Sequence, residues 1–375
     1  MLSAFVPEFI RSWQERRQAL REMQNMQQLD ESLLELQDDN PVNLAKIAIQ
    51  LGDKPAAAEH WENARSRYPG FIRKSHESLG ILLALGRFDE AEALMLEGRK
   101  RAPGDPYYAG GFAQVAESRR DFPEAIRRWE QVRKRHRGYW RSYAHGAICL
   151  REAGRMDDAQ ALADKSVSVF PDQLECWLER ARTAERRQDW PAAVRMWDEF
   201  GTRFHHVASD TGVAEALKRM GRIDEAEQRL KQALMSNPLV VEIRVALAKL
   251  AYERGDKQEA LRLWEELRNR FPLQPFGYIE QTRLLIEMEQ YDAAELVAHA
   301  SIDRFPAEIW PLIDHGMLAS SRKDWPEAFK RWDAVRIAFP DRAEGYLHAA
   351  DALLAMDRKE EAGELRAAFA RRSAG

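Results

Sequence analysis

The stretch GRFDEA, residues 86–91, recurs along the chain as GRMDDA at 154–159 and as GRIDEA at 221–226. The alanine that ends each stretch belongs to a longer series, in which successive members lie 34 residues apart with a single interval of 33. The series is Ala57, Ala91, Ala125, Ala159, Ala193, Ala226, Ala260, Ala294, Ala328 and Ala362. A fixed period of this length is typical of repeat architectures, in which each unit is one supersecondary element.

Three further positions in the repeat predict a pair of helices. Small residues lie twelve positions before most of the alanines, where they allow two helices to pack closely. Glycine lies five positions before five of the alanines and predicts a left-handed end to the first helix. These glycines are Gly52, Gly86, Gly154, Gly221 and Gly255. Proline lies twelve positions after seven of the alanines and predicts the end of the second helix.

This combination of period, small residues, glycine turn and terminal proline resembles the tetratricopeptide repeat family, over residues 38 to 374. The resemblance implies an all-α fold, a right-handed α-solenoid of about ten helical hairpins. It implies first helices on the concave face and second helices on the convex face. It also implies a scaffold in the bacterial style, without a catalytic domain. We expect residues 1–37 to form an N-terminal helical cap or docking segment and residues 38–375 to form the solenoid.

Composition narrows the class of protein. Of the 375 residues, 45% are apolar, which is enough for a packed core and excludes an intrinsically disordered chain. The net charge of -4 argues against a protein built to coat nucleic acid. No apolar run is long enough for an integral membrane span, and the first residues do not resemble a signal peptide. We therefore expect a cytoplasmic protein.

Tryptophan adds a second period of 68 residues to the array. It occurs four residues after the alanine in alternate repeats. These residues are Trp61, Trp129, Trp197, Trp264 and Trp332. We expect them to form buried core on the second helices, and the alternative is that they stack on a cofactor or a glycan. Truncation of a buried tryptophan to alanine costs about 3–5 kcal/mol.

The sequence contains no recognisable catalytic or metal-binding motif. The nine histidines include no HExxH pair, and the adjacent His205 and His206 diverge too much to share one metal ion. Because these two lie where the interval drops to 33 and the proline is missing, we expect an irregular loop or a kink there. Neither a glycine-rich phosphate loop nor a GxSxG elbow is present. We therefore predict no enzyme activity, no cofactor and no metal site.

The resemblance places the second, fifth and ninth residues of each first helix in the concave groove. The predicted partner groove comprises Tyr107, Leu178, Arg182, Val245, Lys249, Phe276, Ile279, Arg283, Trp310, Ile313 and Leu347. Phe276 and Trp310 are the preferred anchors, because aromatic side chains dominate the binding energy of interfaces. Two alternatives remain open. The apolar residues can pack against the next hairpin, and the bases can be solvated or paired within a repeat.

One stretch of the convex face interleaves bases with aromatic residues. It comprises Arg127, Arg128, Arg133, Lys134, Arg135, Arg137, Tyr139, Trp140 and Arg141. Such a pattern suits an anionic glycan, a lipid headgroup or nucleic acid. Bases at the end of a helix also complement its macrodipole, and this alternative requires no ligand.

The segment before the repeats begins with an apolar cluster that includes Phe5, Phe9, Ile10 and Trp13. The segment can cap the open end of the solenoid. Alternatively, this cluster docks into a partner or makes peripheral membrane contact through residues 1–20.

These observations predict a non-enzymatic interaction scaffold or adaptor that binds a protein or peptide partner in its concave groove. The alternative is an accessory protein of bacterial surface-polysaccharide or glycoconjugate assembly. In that role it recruits a glycosyltransferase-type enzyme or binds an anionic glycan. The DWPEA-type repeats resemble bacterial repeat proteins found beside glycosyltransferases. Nucleic acid is not an expected partner, and the cytoplasmic protein can be membrane-peripheral.

Overall fold

A computed structural model describes residues 41–50, 52–67 and 76–373. Within these ranges the chain forms twenty α-helices and no strand, so the prediction of an all-α solenoid is confirmed. The described helices form ten consecutive pairs, one for each alanine of the 34-residue series. The predicted boundary at residue 37 lies outside the described ranges and stays a prediction.

The contacts of the chain define two compact units, residues 35–229 and a unit whose described part is residues 230–373. The helices of the first unit are α1 Pro41–Gln50, α2 Lys54–Arg67, α3 His76–Ala84, α4 Phe88–Arg101, α5 Pro106–Ser118, α6 Phe122–Arg135, α7 Arg141–Glu152, α8 Met156–Val169, α9 Leu174–Arg186, α10 Trp190–Phe204 and α11 Ala208–Arg219. Helix α12, Ile223–Ser236, contains the boundary. The second unit continues with α13 Val241–Glu253, α14 Lys257–Arg270, α15 Phe276–Glu287, α16 Tyr291–Arg304, α17 Trp310–Ser321, α18 Trp325–Ala338, α19 Ala343–Ala355 and α20 Lys359–Ser373.

Odd-numbered helices are the first members of the pairs and even-numbered helices the second. Within each unit, most consecutive helices pack against each other, as α5 packs against α6 and α18 against α19. Several first helices also contact the first helix of the next pair directly, as α5 contacts α7 and α15 contacts α17. First helices therefore lie side by side within each unit, and their solvent-facing side chains form a shared surface.

The turn inside each pair has a left-handed residue. The five predicted glycines have φ values between 74° and 86°, which confirms their role. The same position in the other pairs holds Arg120, Gln188, Glu289, Lys323 and Asp357, with φ between 59° and 63°. In one of these turns the Arg120 N–H donates to the Glu117 carbonyl at 2.9 Å and the Asp121 N–H to the Ala116 carbonyl at 3.0 Å. Ten turns thus share one geometry, although half of them lack glycine.

The type of the first residue after each turn alternates from one helical pair to the next, with the same 68-residue period as the tryptophans. In the pairs that carry tryptophan this residue is aspartate, as in Asp121, whose side chain accepts the backbone N–H of Glu124 at 3.2 Å. In most of the other pairs it is arginine, which bonds an acid three residues later. Arg222, for example, donates to Glu225 at 2.6 Å. The repeating unit is therefore a double hairpin with two kinds of helix start.

Prolines stop the second helices as predicted. Helix α14, for example, ends at Arg270, two residues before Pro272. Where the proline is missing near residue 205, α10 is extended to Phe204 and is capped by His205 in a left-handed conformation with φ of 50°. The expected irregularity is therefore a short connection over residues 205–207.

The core follows the repeat. All ten alanines of the series are at most 1% exposed, and the five tryptophans are at most 4% exposed. The prediction that the tryptophans are structural core is confirmed. Three of their indole N–H groups donate to the residue twelve positions earlier on the first helix: Trp129 to Glu117, Trp197 to Glu185 and Trp332 to Ser320, at 3.0, 2.7 and 2.9 Å. Among the described residues, no helix is both long and apolar enough to span a membrane.

Candidate functional site

Four first helices of the second unit, α13, α15, α17 and α19, expose a stripe of apolar side chains. We call their solvent-facing surface the first-helix face. Five large apolar side chains on it are between 37% and 43% exposed. These residues are Tyr252, Phe276, Met317, Leu347 and Leu354. The other exposed large apolar side chains of the described chain lie on second helices or in loops, so the first helices of the second unit hold the largest such group.

Two of these five, Phe276 and Leu347, belong to the predicted groove. Sequence reasoning missed Tyr252, Met317 and Leu354. A helical stripe continues at intervals of three and four residues, so Tyr252 follows Val245 by seven and Met317 follows Ile313 by four. Met317 occupies the ninth position of its helix, and extending the predicted positions by one more turn would have found Tyr252 and Leu354.

The remaining apolar groove residues of the second unit are half-buried. Val245 packs against the cluster around Trp264, and Ile313 against the cluster around Trp332. The Trp310 ring lies 5.0 Å from the Phe305 ring, centroid to centroid. Ile279 is also half-buried. Each of these side chains therefore divides its surface between the interior and the first-helix face.

Three predicted groove residues lie in the first unit, and two of them, Tyr107 and Leu178, are half-buried there. The Tyr107 ring makes an edge contact with the Tyr108 ring, with 5.2 Å between centroids. Burial raises the pKa of the Tyr107 hydroxyl, so it stays protonated at neutral pH. Leu178, on α9, belongs to the first unit, whereas the five exposed apolar residues belong to the second.

The predicted basic groove residues differ in how they are paired. Arg182 lies 3.1 Å from Glu179 of its own helix. Arg283 Nε lies 3.0 Å from Asp314 of the next pair. Lys46, at the equivalent place in the first pair, bonds Glu77 at 2.6 Å. Lys249 is exposed and makes no ion pair among the described residues, which leaves its charge available on the first-helix face.

The partner of Arg283 is a buried carboxylate. Asp314 is 1% exposed, and its Oδ2 atom has no hydrogen-bond partner among the described residues. Burial raises the pKa of Asp314 to about 6, although the guanidinium of Arg283 opposes the shift. This carboxylate holds Arg283 against α17, so the arginine is less free to meet a partner than Lys249.

Most of the basic stretch on α6 and its following loop makes contacts inside the chain. Arg127 and Arg128 share Glu124 at 2.6 Å, and Arg128 also lies over the Phe112 ring. Those bonds lower the pKa of Glu124 to about 2. Arg133 donates to the Ser142 carbonyl at 2.7 Å.

The rest of this stretch is more open. Lys134 pairs with Glu130 at 2.7 Å, whereas Arg135 and Arg137 are exposed and make no ion pair among the described residues. Arg141 lies over the half-buried Trp140 ring at 4.6 Å, beside the half-buried Tyr139. Three bases of the stretch, Arg135, Arg137 and Arg141, are thus exposed and make no ion pair among the described residues.

The predicted N-terminal docking residues lie outside the described residues. These are Phe5, Phe9, Ile10 and Trp13. Their role therefore stays a prediction.

Comparison with known proteins agrees with the repeat. Family models described as tetratricopeptide repeat match residues 42–106, 111–168 and 217–275. The crystal structure of yeast Tom70 is similar over 96% of this chain and 91% of that one, at 15% identity and a TM-score of 0.50. A tetratricopeptide repeat protein from Parabacteroides merdae covers 64% of this chain and 96% of its own, at 13% identity and a TM-score of 0.43. No curated protein matches the sequence significantly.

Proposed function

Because the chain belongs to the tetratricopeptide repeat family, whose helical pairs build protein-interaction scaffolds, we propose that it is a non-enzymatic adaptor. In this proposal the first-helix face of the second unit binds a segment of a partner polypeptide. The observation that carries the proposal is the row of five exposed apolar side chains on four consecutive first helices. Exposed apolar surface of this kind marks interaction sites, because its burial against a partner removes it from water.

The composition of the face defines the kind of segment that fits it. Phe276, Tyr252 and the half-buried Trp310 offer aromatic anchors, which contribute most to the binding energy of interfaces. Lys249 adds one available positive charge beside Tyr252. We therefore expect an extended or helical segment that is apolar along most of its length and carries an acidic residue opposite Lys249.

The packing of the first helices supports binding at low entropic cost. The side chains that line the face are held on helices whose opposite sides pack against the buried tryptophans. A surface that is ordered before binding loses little conformational freedom when the partner arrives. The scaffold supplies a preformed surface and needs no catalytic group.

The test is affinity capture with the full chain and quantitative mass spectrometry. Wild type is compared with the single variants Phe276→Glu and Leu347→Glu. Because Phe276 and Leu347 are exposed, their substitution leaves the fold intact, which circular dichroism checks. We expect the same protein or proteins to be enriched by wild type and lost with Phe276→Glu and Leu347→Glu.

Leu296→Glu is the matched control. Leu296 is 74% exposed but lies on α16, a second helix of the same unit. Capture by this variant should equal that by wild type. Equal capture by wild type and both variants of the first-helix face would overturn the proposal. Loss of partners only on substitution of Arg135, Arg137 and Arg141 would favour an anionic ligand on the basic stretch instead.

A further inference from the structure

Two imidazoles and a carboxylate converge between α16 and α17. Glu295 and His299 lie four residues apart on α16, so they share one face of that helix. His315 comes from α17. The ligand atoms of the three side chains all lie within 4.8 Å of one another. We propose that Glu295, His299 and His315 bind a divalent transition-metal ion, for which Zn²⁺ is the best-suited candidate.

Two of the three distances between ligand atoms are close to the spacing that such an ion requires. Glu295 Oε1 lies 2.9 Å from Nε2 of His315 and 3.4 Å from Nε2 of His299. Bonds of about 2.0–2.1 Å in a tetrahedral arrangement place neighbouring ligands about 3.3 Å apart. The ligand atoms of His299 and His315 lie within 4.8 Å of each other, so rotation about the side-chain bonds has to bring the three groups to a common centre.

Arg331 contacts the carboxylate of Glu295 and can orient this ligand toward a bound ion without touching the ion itself. Arg331 Nη2 lies 2.9 Å from Oε1 of Glu295, and Nη1 lies 3.2 Å from Oε2. Arg331 also bonds Glu327 at 2.9 Å and the His315 carbonyl at 3.2 Å. When Oε1 turns to a metal ion, Arg331 keeps Oε2 and Glu327 as partners. Hydrogen bonds from such neighbours orient the carboxylate ligands of metal sites.

The charged side chains around the site sum to zero before an ion binds. Glu295 and Glu327 carry two negative charges, and Arg331 and Lys330 carry two positive charges, with Lys330 paired to Glu327 at 3.4 Å near the surface. The side chain of His299 is 58% exposed, whereas those of His315 and Glu295 are 16% and 20% exposed. The exposed side of His299 gives the ion an entry path and leaves a position for water or a fourth ligand.

The ligand types select the class of ion. Imidazole nitrogen favours Zn²⁺, Ni²⁺ and Cu²⁺, whereas Mg²⁺ and Ca²⁺ prefer sites made of oxygen. A bound ion would join α16 to α17 and thereby link two successive helical pairs of the second unit. This inference does not depend on the proposed function, because the ligands lie on the contact between α16 and α17 and not among the exposed residues of the first-helix face.

The experiment is calorimetric titration of the full chain with ZnCl₂ after treatment with a chelator, with MgCl₂ titrated in parallel. We expect saturable binding of one Zn²⁺ per chain and none of Mg²⁺. His299→Ala should weaken Zn²⁺ binding by at least about tenfold, because loss of a ligand exceeds the effect of losing a second-layer partner. Glu295→Gln and His315→Asn should act in the same direction. His299 is exposed, so His299→Ala keeps its fold, which circular dichroism verifies.

His348→Ala provides the matched control. His348 lies 3.6 Å from Asp351 on α19, and among the described residues no third histidine, cysteine or carboxylate completes a metal site with this pair. Zn²⁺ binding by His348→Ala should equal that by wild type, and Zn²⁺ should raise the melting temperature of wild type but not that of His299→Ala. Absence of saturable Zn²⁺ binding by wild type, or equal binding by wild type and His299→Ala, would overturn the proposal.

Discussion

Trp197 donates its indole N–H to Oε1 of Glu185, 2.7 Å away and twelve residues earlier in the chain. The bond joins the second helix of a pair to the first and satisfies a polar atom in the core of the first unit. Trp61 occupies the equivalent place in the first pair, but the residue twelve positions earlier is Ile49. Among the described residues, the buried Nε1 atom of Trp61 has no hydrogen-bond partner. Two tryptophans in the same structural position therefore differ by one hydrogen bond.

This difference predicts unequal costs for the same substitution. Trp197→Phe should lower the free energy of unfolding by about 1–2 kcal/mol more than Trp61→Phe, because only Trp197 loses a hydrogen bond to a carboxylate. Urea unfolding of both variants measures the two losses. Trp129→Phe is the positive control, since Trp129 bonds Glu117 at 3.0 Å. Equal losses for Trp61 and Trp197 would contradict the prediction.

Glu185 should also make stability depend on pH. Burial raises the pKa of Glu185, although the bond from Trp197 opposes the shift. The folded state then holds a proton more tightly than the unfolded state, so stability falls as pH rises above the unfolded value of about 4.5. Glu185→Gln keeps an acceptor for Trp197 and removes this titration. We expect the variant to be more stable than wild type at pH 7 and the difference to shrink towards pH 4.

Glu124→Gln is the control, because the stabilising contribution of Glu124 should depend on pH in the opposite direction. The bonds from Arg127 and Arg128 lower the pKa of Glu124 to about 2, so its stabilising contribution is present above pH 4.5 and is lost as pH falls. Glu124→Gln should therefore be less stable than wild type at pH 7, with the difference shrinking on acidification. Thermal melts from pH 4 to pH 8 measure Glu185→Gln, and melts extended down to pH 2 measure Glu124→Gln. A constant difference between Glu185→Gln and wild type would contradict the prediction.

The left-handed conformation of Gln188 predicts that glycine at this turn would stabilise the protein. Gln188 has a φ of 60°, a conformation that costs a residue with a side chain roughly 1–2 kcal/mol. Gln188→Gly should raise the free energy of unfolding by about 0.5–1 kcal/mol, since the greater entropy loss of glycine offsets part of the relief. Gly86→Ala should have the opposite effect, because Gly86 has a φ of 74°.

Gly80→Ala is the control for these turn variants. Gly80 lies within α3, and a side-chain carbon added there would meet no atom within 4 Å. Alanine at this helical position should stabilise the protein by about 1 kcal/mol. Chemical denaturation of the three variants tests the signs. If Gly86→Ala and Gly80→Ala shift stability in the same direction, the left-handed conformation does not govern the turn.

The two cysteines should be unreactive in the folded protein. Cys149 and Cys176 are fully buried, and burial raises the pKa of both thiols. Because the thiolate is the reactive form, we expect neither to react with a disulfide reagent at pH 8 until the chain is unfolded. Absorbance of the released thiolate, with the urea-unfolded protein as control, measures this. Rapid release of one equivalent from the folded protein would contradict the burial of these side chains.

Features that depend on a local pattern could be read from the sequence. The alanine series, the glycine turns and the terminal prolines act within one helical hairpin, and each occupies its predicted place. The non-glycine turns could not be predicted in this way. Arginine, glutamine, glutamate and lysine have no intrinsic preference for φ near 60°. Packing of the two helices around the buried alanine and its neighbours imposes that conformation on them.

The candidate site was predictable in part for the same reason. Helical spacing identified Phe276 and Leu347, and one further turn would have added Leu354. It could not show that the buried Asp314 of the next pair holds Arg283, whereas Lys249 makes no ion pair among the described residues.

The amino-acid order was sufficient for the repeat, the helical pairs and the buried face of each helix, because these depend on contacts within one helical pair. The contacts between pairs required the folded chain. Arg283 meets Asp314 across 31 residues, and Glu295 and His299 meet His315 from a different helix. Such contacts depend on the angle and distance at which one helix packs on the next, and the side chains of the whole interface set these quantities together.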